Sequence, residues 1–233
     1  KAYQLISIFF AHWQDADITP KELDDRFREF LPRVSSASSR LGLAKAMSEF
    51  ISPLNNSHTM YMDRELLENT PDLGFRVRLL DGEWVVTSSS VQDLRPGDAI
   101  LTVQGRSLGE WYADLRRYVC ARQERSRRHL AMMWLALTLE DQPLEVRWLD
   151  KSQVERSANL SRPPSQVASS ISTQTEGKWL SDDIYYLRIP SFGQPRFEQR
   201  ALELVELHAH ASHMIIDVRG NTGGSTPLGL IRK

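Results

Sequence analysis

The chain has 233 residues, 41% of them hydrophobic and 25% charged, with a net charge of −1. That balance suits a globular protein with ample core, and it supplies no global field to recruit nucleic acid or an anionic membrane. One cysteine, Cys120, excludes an internal disulfide and a cysteine-built metal site, and no run approaches the ~20 apolar residues of a membrane span.

Leu5, Ile8, Phe9 and Trp13 recur at helical spacing and predict a first helix. Residues 1–13 lack a small-residue cleavage site, so no signal peptide is read there. Thr19-Pro20-Lys21-Glu22 is a capping box with proline at the first helical position, and Leu23, Phe27, Phe30 and Leu31 form the stripe of a second helix. Leu43, Met47, Phe50, Ile51 and Leu54 mark a third, which ends at Asn55-Asn56-Ser57-His58-Thr59. Residues 1–65 thus read as a helical unit that delivers a Ser-His pair at a helix-to-loop exit.

After Pro71 the period changes. Phe75, Val77 and Leu79 alternate with Arg76 and Arg78, and Asp81-Gly82 joins that strand to a return strand over 83–88. A turn at Pro96-Gly97-Asp98 precedes a strand over 99–103 closed by Gln104-Gly105. Residues 108–128 and 130–139 read as helices, and 144–149 and 154–160 as strands. Residues 161–177, rich in Ser, Thr, Gln and Pro, read as a linker. A strand over 184–189 stopped by Pro190, a helix carrying Phe197, Ala201, Leu204 and Val205, and an apolar strand over 214–218 form the opening of an α/β unit. The last strand reads as buried on both faces.

That strand stops in Arg219-Gly220-Asn221-Thr222-Gly223-Gly224-Ser225. A glycine-rich turn frees backbone N–H groups to stabilise an oxyanion or cradle an anion, and it serves equally as a tight strand-to-helix connection. Ser225 invites comparison with a nucleophile elbow. The closing glycine is missing, however, and eight residues cannot hold the acid and histidine that follow such a serine. The loop also lacks the Gly-Lys-Ser/Thr of a phosphate loop. His208, His210 and His213 do not share a helix face and have no acidic partner close in sequence, so they read as structural rather than as metal ligands. Arg116, Arg117, Arg122, Arg125, Arg127 and Arg128 spread around their helix and read as a solvated or ion-paired face. Taken alone, a histidine in such a loop is more often a surface residue, and nothing in the sequence around His58 says otherwise.

Four stretches, in order, resemble the C-terminal processing (tail-specific) and tricorn-type serine peptidase family. Leu54-Asn55-Asn56-Ser57-His58-Thr59 is similar to that family's Asp-x-His-Thr segment. Leu94-Arg95-Pro96-Gly97-Asp98-Ala99-Ile100, running on to Gln104-Gly105-Arg106, is similar to the L-x-P-G-D-x-I-x-x-V-N-G run of its PDZ-like domain. Ile184-Tyr185-Tyr186-Leu187-Arg188-Ile189-Pro190-Ser191-Phe192 is similar to I-G-Y-L-R-I-x-S-F, and residues 215–224 are similar to L-I-I-D-L-R-G-N-x-G-G.

The resemblance implies a mixed α+β / α/β fold: a helical bundle over 1–65, a PDZ-like β domain over 66–160, and a linker with the start of a crotonase-like α/β catalytic core over 161–233. It implies a serine endopeptidase in which His58 is the general base and Ser57 helps orient the acid group. Gly223 or Gly224 supplies an oxyanion donor, and the amides of Leu73, Gly74 and Phe75 receive a peptide's C-terminal carboxylate by strand addition. Asn56 and Ser57 replace the acidic and glycine residues that precede the histidine in many members, which favours the Ser-His branch. The family's nucleophilic serine falls beyond the glycine turn, so the chain is expected to be a front portion, inactive by itself. A non-catalytic adaptor using the PDZ-like groove is the alternative. The expected partner is a peptide or protein recognised by its C-terminal tail, with no cofactor, metal, nucleic acid or stable membrane insertion. Homo-oligomerisation stays open, and the resemblance favours a periplasmic or extracytoplasmic bacterial site over the cytoplasm.

Overall fold

The computed structural model describes residues 1–139, 143–165, 174–221 and 223–233. The chain divides into two units, Lys1–Val167 and Ala168–Lys233.

The first unit opens with three helices, α1 (Ala2–Phe9), α2 (Pro20–Ser35) and α3 (Arg40–Ile51). The Thr19 box forms as the sequence predicts: its hydroxyl accepts from the Glu22 amide while the Glu22 carboxylate accepts from the Thr19 amide, with Pro20 in the first turn. Leu23, Phe30, Phe50, Ile51 and Leu54 bury together, with Phe27 packed alongside. In α1 the expected stripe is turned outward. Leu5, Ile8 and Phe9 are 50%, 71% and 73% exposed, while Tyr3, Ile6, Phe10 and Trp13 pack on the core. The helix is apolar on two sides, so spacing alone could not choose between them. Trp13 itself falls in a 3-10 turn, Trp13–Asp15, rather than in α1.

A short helix, α4 (Arg64–Asn69), leads to an antiparallel sheet of five strands in sequential order: β1 (Phe75–Leu80), β2 (Glu83–Ser89), β3 (Ala99–Val103), β4 (Leu144–Leu149) and β5 (Glu155–Leu160). Asp81 and Gly82 both take positive φ, +50° and +92°, as the two-residue hairpin requires. Two helices pack on the sheet, α5 (Leu108–Leu115) and α6 (Glu124–Thr138). The continuous helix expected over 108–128 is broken. After a 3-10 turn the chain runs extended through Val119, Cys120 and Ala121, all buried, and helix resumes at Glu124. Val119 and Ala121 enter the core under the sheet while Cys120 enters the helical core. The residues of an extended segment point alternately to opposite sides, which is how these three join two cores.

The second unit holds a three-stranded sheet, β6 (Glu176–Trp179), β7 (Ile184–Arg188) and β8 (His213–Asp217), with β7 and β8 parallel. α7 (Pro195–Leu207) packs on it through Ala201 and Leu204, Phe197 is also buried, and a short α8 (Leu228–Ile231) follows the glycine turn. Residues 176–179 form a strand although 176 and 177 read as linker. All four are exposed, so no alternation marked them. Residues 166–173 of that expected linker lie outside the described residues. Nor is β8 buried on both faces: Ile215 and Ile216, on opposite faces, are 46% and 47% exposed.

Candidate active site

In the first unit, α3 ends in a 3-10 turn, Ser52–Leu54, and Asn55 then takes a left-handed conformation, φ +53°. Asparagine tolerates that conformation better than most residues. The Asn55 side chain is buried and fixed: its carbonyl accepts from Arg127 at 2.7 Å and its amide donates to the Asp15 carbonyl at 3.4 Å. The Asn56 N–H donates to the Cys120 sulfur at 3.3 Å, and burial pushes that thiol above its ordinary range. The Asn56 carbonyl side chain accepts from the His58 N–H at 2.9 Å, and its main-chain carbonyl accepts from the Thr59 N–H at 2.8 Å.

The loop is thus held from beneath through Asn55 and Asn56. Ser57 and His58 are exposed, and the His58 imidazole has no hydrogen-bond partner among the described residues. Ser57 stands between two hollows. One, about 100 Å³, is walled by apolar groups such as Ile51, Leu130, Met133 and Trp134. The other, about 300 Å³, is polar and is lined by His12, Asp15, Asn55, Asn56 and Arg122.

In the second unit, the end of β8 and the glycine turn form one network. The buried Asp217 carboxylate accepts from Tyr186 and, at 2.8–2.9 Å, from the Arg219 guanidinium and amide. Arg219 first and Tyr186 next hold that carboxyl far below the usual carboxylate range, and the same bond raises Tyr186. Asn221 donates to the Ile189 carbonyl at 3.0 Å and accepts from the Gly223 N–H at 2.7 Å. The Gly223 carbonyl receives the Phe192 N–H at 2.8 Å, and the Ser225 N–H donates to the Phe192 carbonyl at 3.0 Å. The Gly223 amide is therefore already bonded, whereas the Gly224 amide has no partner among the described residues. Ser225 is exposed.

The third group of candidates, Leu73, Gly74 and Phe75, is buried where the chain enters β1. The Gly74 N–H donates to the Asp72 carboxylate at 2.9 Å. Burial acts to raise Asp72, yet its bonds to Arg76 and to the Gly74 and Leu73 amides outweigh this and lower it.

His208 stacks on Tyr185 with ring centroids 3.9 Å apart and meets Trp179 edge-on. Among the described residues no three His, Cys, Asp or Glu side chains are grouped to hold a metal ion, and no helix is long and apolar enough to cross a membrane.

Sequence reasoning missed the residues that fix these loops: Asn55, Cys120, Arg127 and Asn221. Asn221 had a readable signal, since Asn-x-Gly is the pattern of a side chain bonding the amide two residues on. Cys120 and Arg127 lie far along the chain from Asn55 and Asn56, and no local pattern pairs them.

No family model and no curated protein matches the chain. Solved structures do. A structure of mature CPAF complexed with lactacystin matches 96% of this chain and 55% of that one, at TM-score 0.65 and 14% identity. Mature CPAF matches 97% and 56%, at 0.60 and 15%, and a serine-to-alanine mutant of CPAF matches 97% and 57%, at 0.61 and 15%. The chain has a mixed α+β fold similar to that of CPAF. It spans little more than half the length of the CPAF chains it matches.

Proposed function

We propose that the chain is the front portion of a serine endopeptidase in which His58 is the general base. The observation that carries this reading is the Ser57-His58 loop. Its backbone is tied down by Asn55, Asn56, Cys120 and Arg127, while the imidazole remains exposed and uncommitted. A base must reach a proton without first breaking its own bonds, and a positioned one contributes typically about 10²–10⁴-fold. The fold shared with CPAF supports the same reading.

In it, a serine outside residues 1–233 attacks the peptide carbonyl, and His58 takes the serine proton and returns it to the leaving amine. Ser57 orients the acid group. Gly224, rather than Gly223 with its amide already bonded, donates to the oxyanion, and such a donor is worth about 3–4 kcal/mol. Substrates are peptides or proteins, recognised by a C-terminal tail at the groove that begins at Leu73, Gly74 and Phe75. The units of function are the helical region 1–65, the PDZ-like region 66–160 and the α/β region 161–233.

The test uses the full-length protein and a fluorophosphonate probe. Labelling of one serine, abolished by His58→Ala with the fold intact, is expected, and residues 1–233 alone should turn over no peptide. Tail-peptide binding without any labelling would instead establish the adaptor.

A further inference from the structure

That reading would seat a peptide tail along the outer edge of β1, which packs with the helix α6, so these two elements would be the walls of its groove. β1 stands at the end of the sheet, so its outer edge is unpaired among the described residues. A strand added there would bring its terminal carboxylate to the amides of Leu73 and Gly74. In this structure that end is filled by the chain itself.

Leaving β5, the chain crosses from one wall to the other over residues 162–165. The Arg162 guanidinium donates to the carbonyls of Ala136 (2.7 Å) and Leu139 (3.3 Å) at the end of α6, and also to the Pro71 carbonyl ahead of β1. The last carbonyls of a helix lack internal partners and carry the negative end of its dipole, so a cation there satisfies both. The Pro163 carbonyl accepts from the Asp72 N–H at 2.9 Å. The Pro163 ring lies against Gly74, so close that a Cβ on that glycine would be 3.2 Å from it and 2.7 Å from Val91. The Ser165 hydroxyl donates to the Leu67 carbonyl at 2.7 Å. Beneath this crossing the Asp72 carboxylate occupies the Gly74 amide and pairs with both Arg76 nitrogens at 2.7 and 2.8 Å.

We infer that residues 162–165 are a strap that closes the carboxylate end of the β1–α6 groove, with Asp72 holding the place of a ligand carboxylate. This rests on the reading of that groove as a peptide-tail site. Arg162 is the latch, because it alone among the described residues of this crossing bonds to both walls. A tail peptide enters only when the strap lifts, and its carboxylate then displaces Asp72 from the Gly74 amide. The segment that closes the groove is the one that leads toward the second unit, so tail binding and the connection between units compete for the same residues.

The experiment compares the 233-residue chain with Arg162→Ala and, in case that variant fails to fold, Pro163→Gly. The probe is a pool of fluorescein-labelled octapeptides ending in Ala, Val, Leu or Phe, each as free carboxylate and as C-terminal amide. Binding is read by anisotropy, and the strap itself by hydrogen exchange of the segment 68–76. Release should speed exchange there and tighten carboxylate binding at least about tenfold, the factor expected when the competent fraction of the unmodified chain is near one in ten. The amides should gain nothing. Unchanged exchange, or equal binding by the parent chain and both variants, overturns the strap. Faster exchange with no binding in any variant also overturns it and removes tail recognition with it. The serine-labelling test of His58 is untouched by that outcome, so the two failures are distinguishable.

Discussion

Gly223→Ala and Gly224→Ala, adjacent substitutions in one turn, should differ severalfold in cost. At Gly224 an added Cβ would stand 2.0, 2.1 and 2.2 Å from the Phe192 carbonyl carbon, the Phe192 oxygen and the Gly193 nitrogen. All three are backbone atoms, so no rotamer change relieves the clash. The segments must separate, which sacrifices the Phe192-to-Gly223 and Ser225-to-Phe192 hydrogen bonds at 2.8 and 3.0 Å. At about 1 kcal/mol per bond, plus about 1–3 kcal/mol for an L-residue at φ +132°, the loss is ~3–5 kcal/mol. Gly223 has φ +82° but open space where a Cβ would go, so only the conformational term of about 1 kcal/mol applies. Urea denaturation, followed by hydrogen exchange of the segment 184–193, measures both variants on the same element. If the two lose equal stability, or if Gly224→Ala loses less than Gly223→Ala, the close approach of Gly224 to Phe192 is refuted and the proposed donor loses its placement.

Three further outcomes follow from the same contacts. Asn55→Ala removes a charge-assisted bond from Arg127 and a residue suited to left-handed backbone, a loss of about 2–3 kcal/mol, and Asn55→Gly should recover roughly 1 kcal/mol of it, both read from thermal melts. Asp217 titrates lower folded than unfolded, so its contribution is complete above about pH 4 and fades as pH drops toward its depressed folded value. Acid titration of the second unit should therefore show a slope below about pH 4 that Asp217→Asn flattens, and an unchanged slope would remove Asp217 as its source. Thr19→Ala breaks the capping box and should cost about 1 kcal/mol, a fall in Tm of roughly 2–4 °C by calorimetry.

What the sequence disclosed divides along physical lines. Local rules worked where one element decides its own form. Thr19 and Glu22 are three apart and cap each other, Asp81-Gly82 turns the hairpin, and Phe75 and Val77 are buried while Arg76 and Arg78 are not. They failed where a distant contact arbitrates. Which face of α1 is covered depends on α2, since Tyr3 stacks on Phe27 at 4.4 Å, and nothing in residues 2–9 records that. The break at Val119, Cys120 and Ala121 answers to two cores at once. β8 is as apolar as a fully covered strand, yet its sequence says nothing about what lies on either face. The candidate residues themselves were visible, as Ser57-His58 and the glycine run. Their supports were not, because Cys120 and Arg127 are remote in the chain from the Asn55 and Asn56 groups they bind.

Those supports share a chemistry that bears on function. Both candidate loops are shaped by asparagine side chains bonding main-chain groups: Asn56 to the amide of His58, and Asn221 to the amide of Gly223 and the carbonyl of Ile189. An amide side chain can both donate and accept without carrying charge, so it can replace missing main-chain partners at a chain reversal and leave the local field unaltered. It also leaves the His58 imidazole and the Gly224 N–H without a bond to their own loop among the described residues. A loop that used the His58 imidazole or the Gly224 N–H as its own scaffolding would have to break that bond before serving a substrate, and the broken bond would be charged against catalysis. Preorganisation means that the cost of order is met in folding, by groups that take no part in the chemistry. In the proposed reading the two roles fall to different residues: Asn56 and Asn221 hold the loops, and the His58 imidazole and the Gly224 N–H are left for the chemistry.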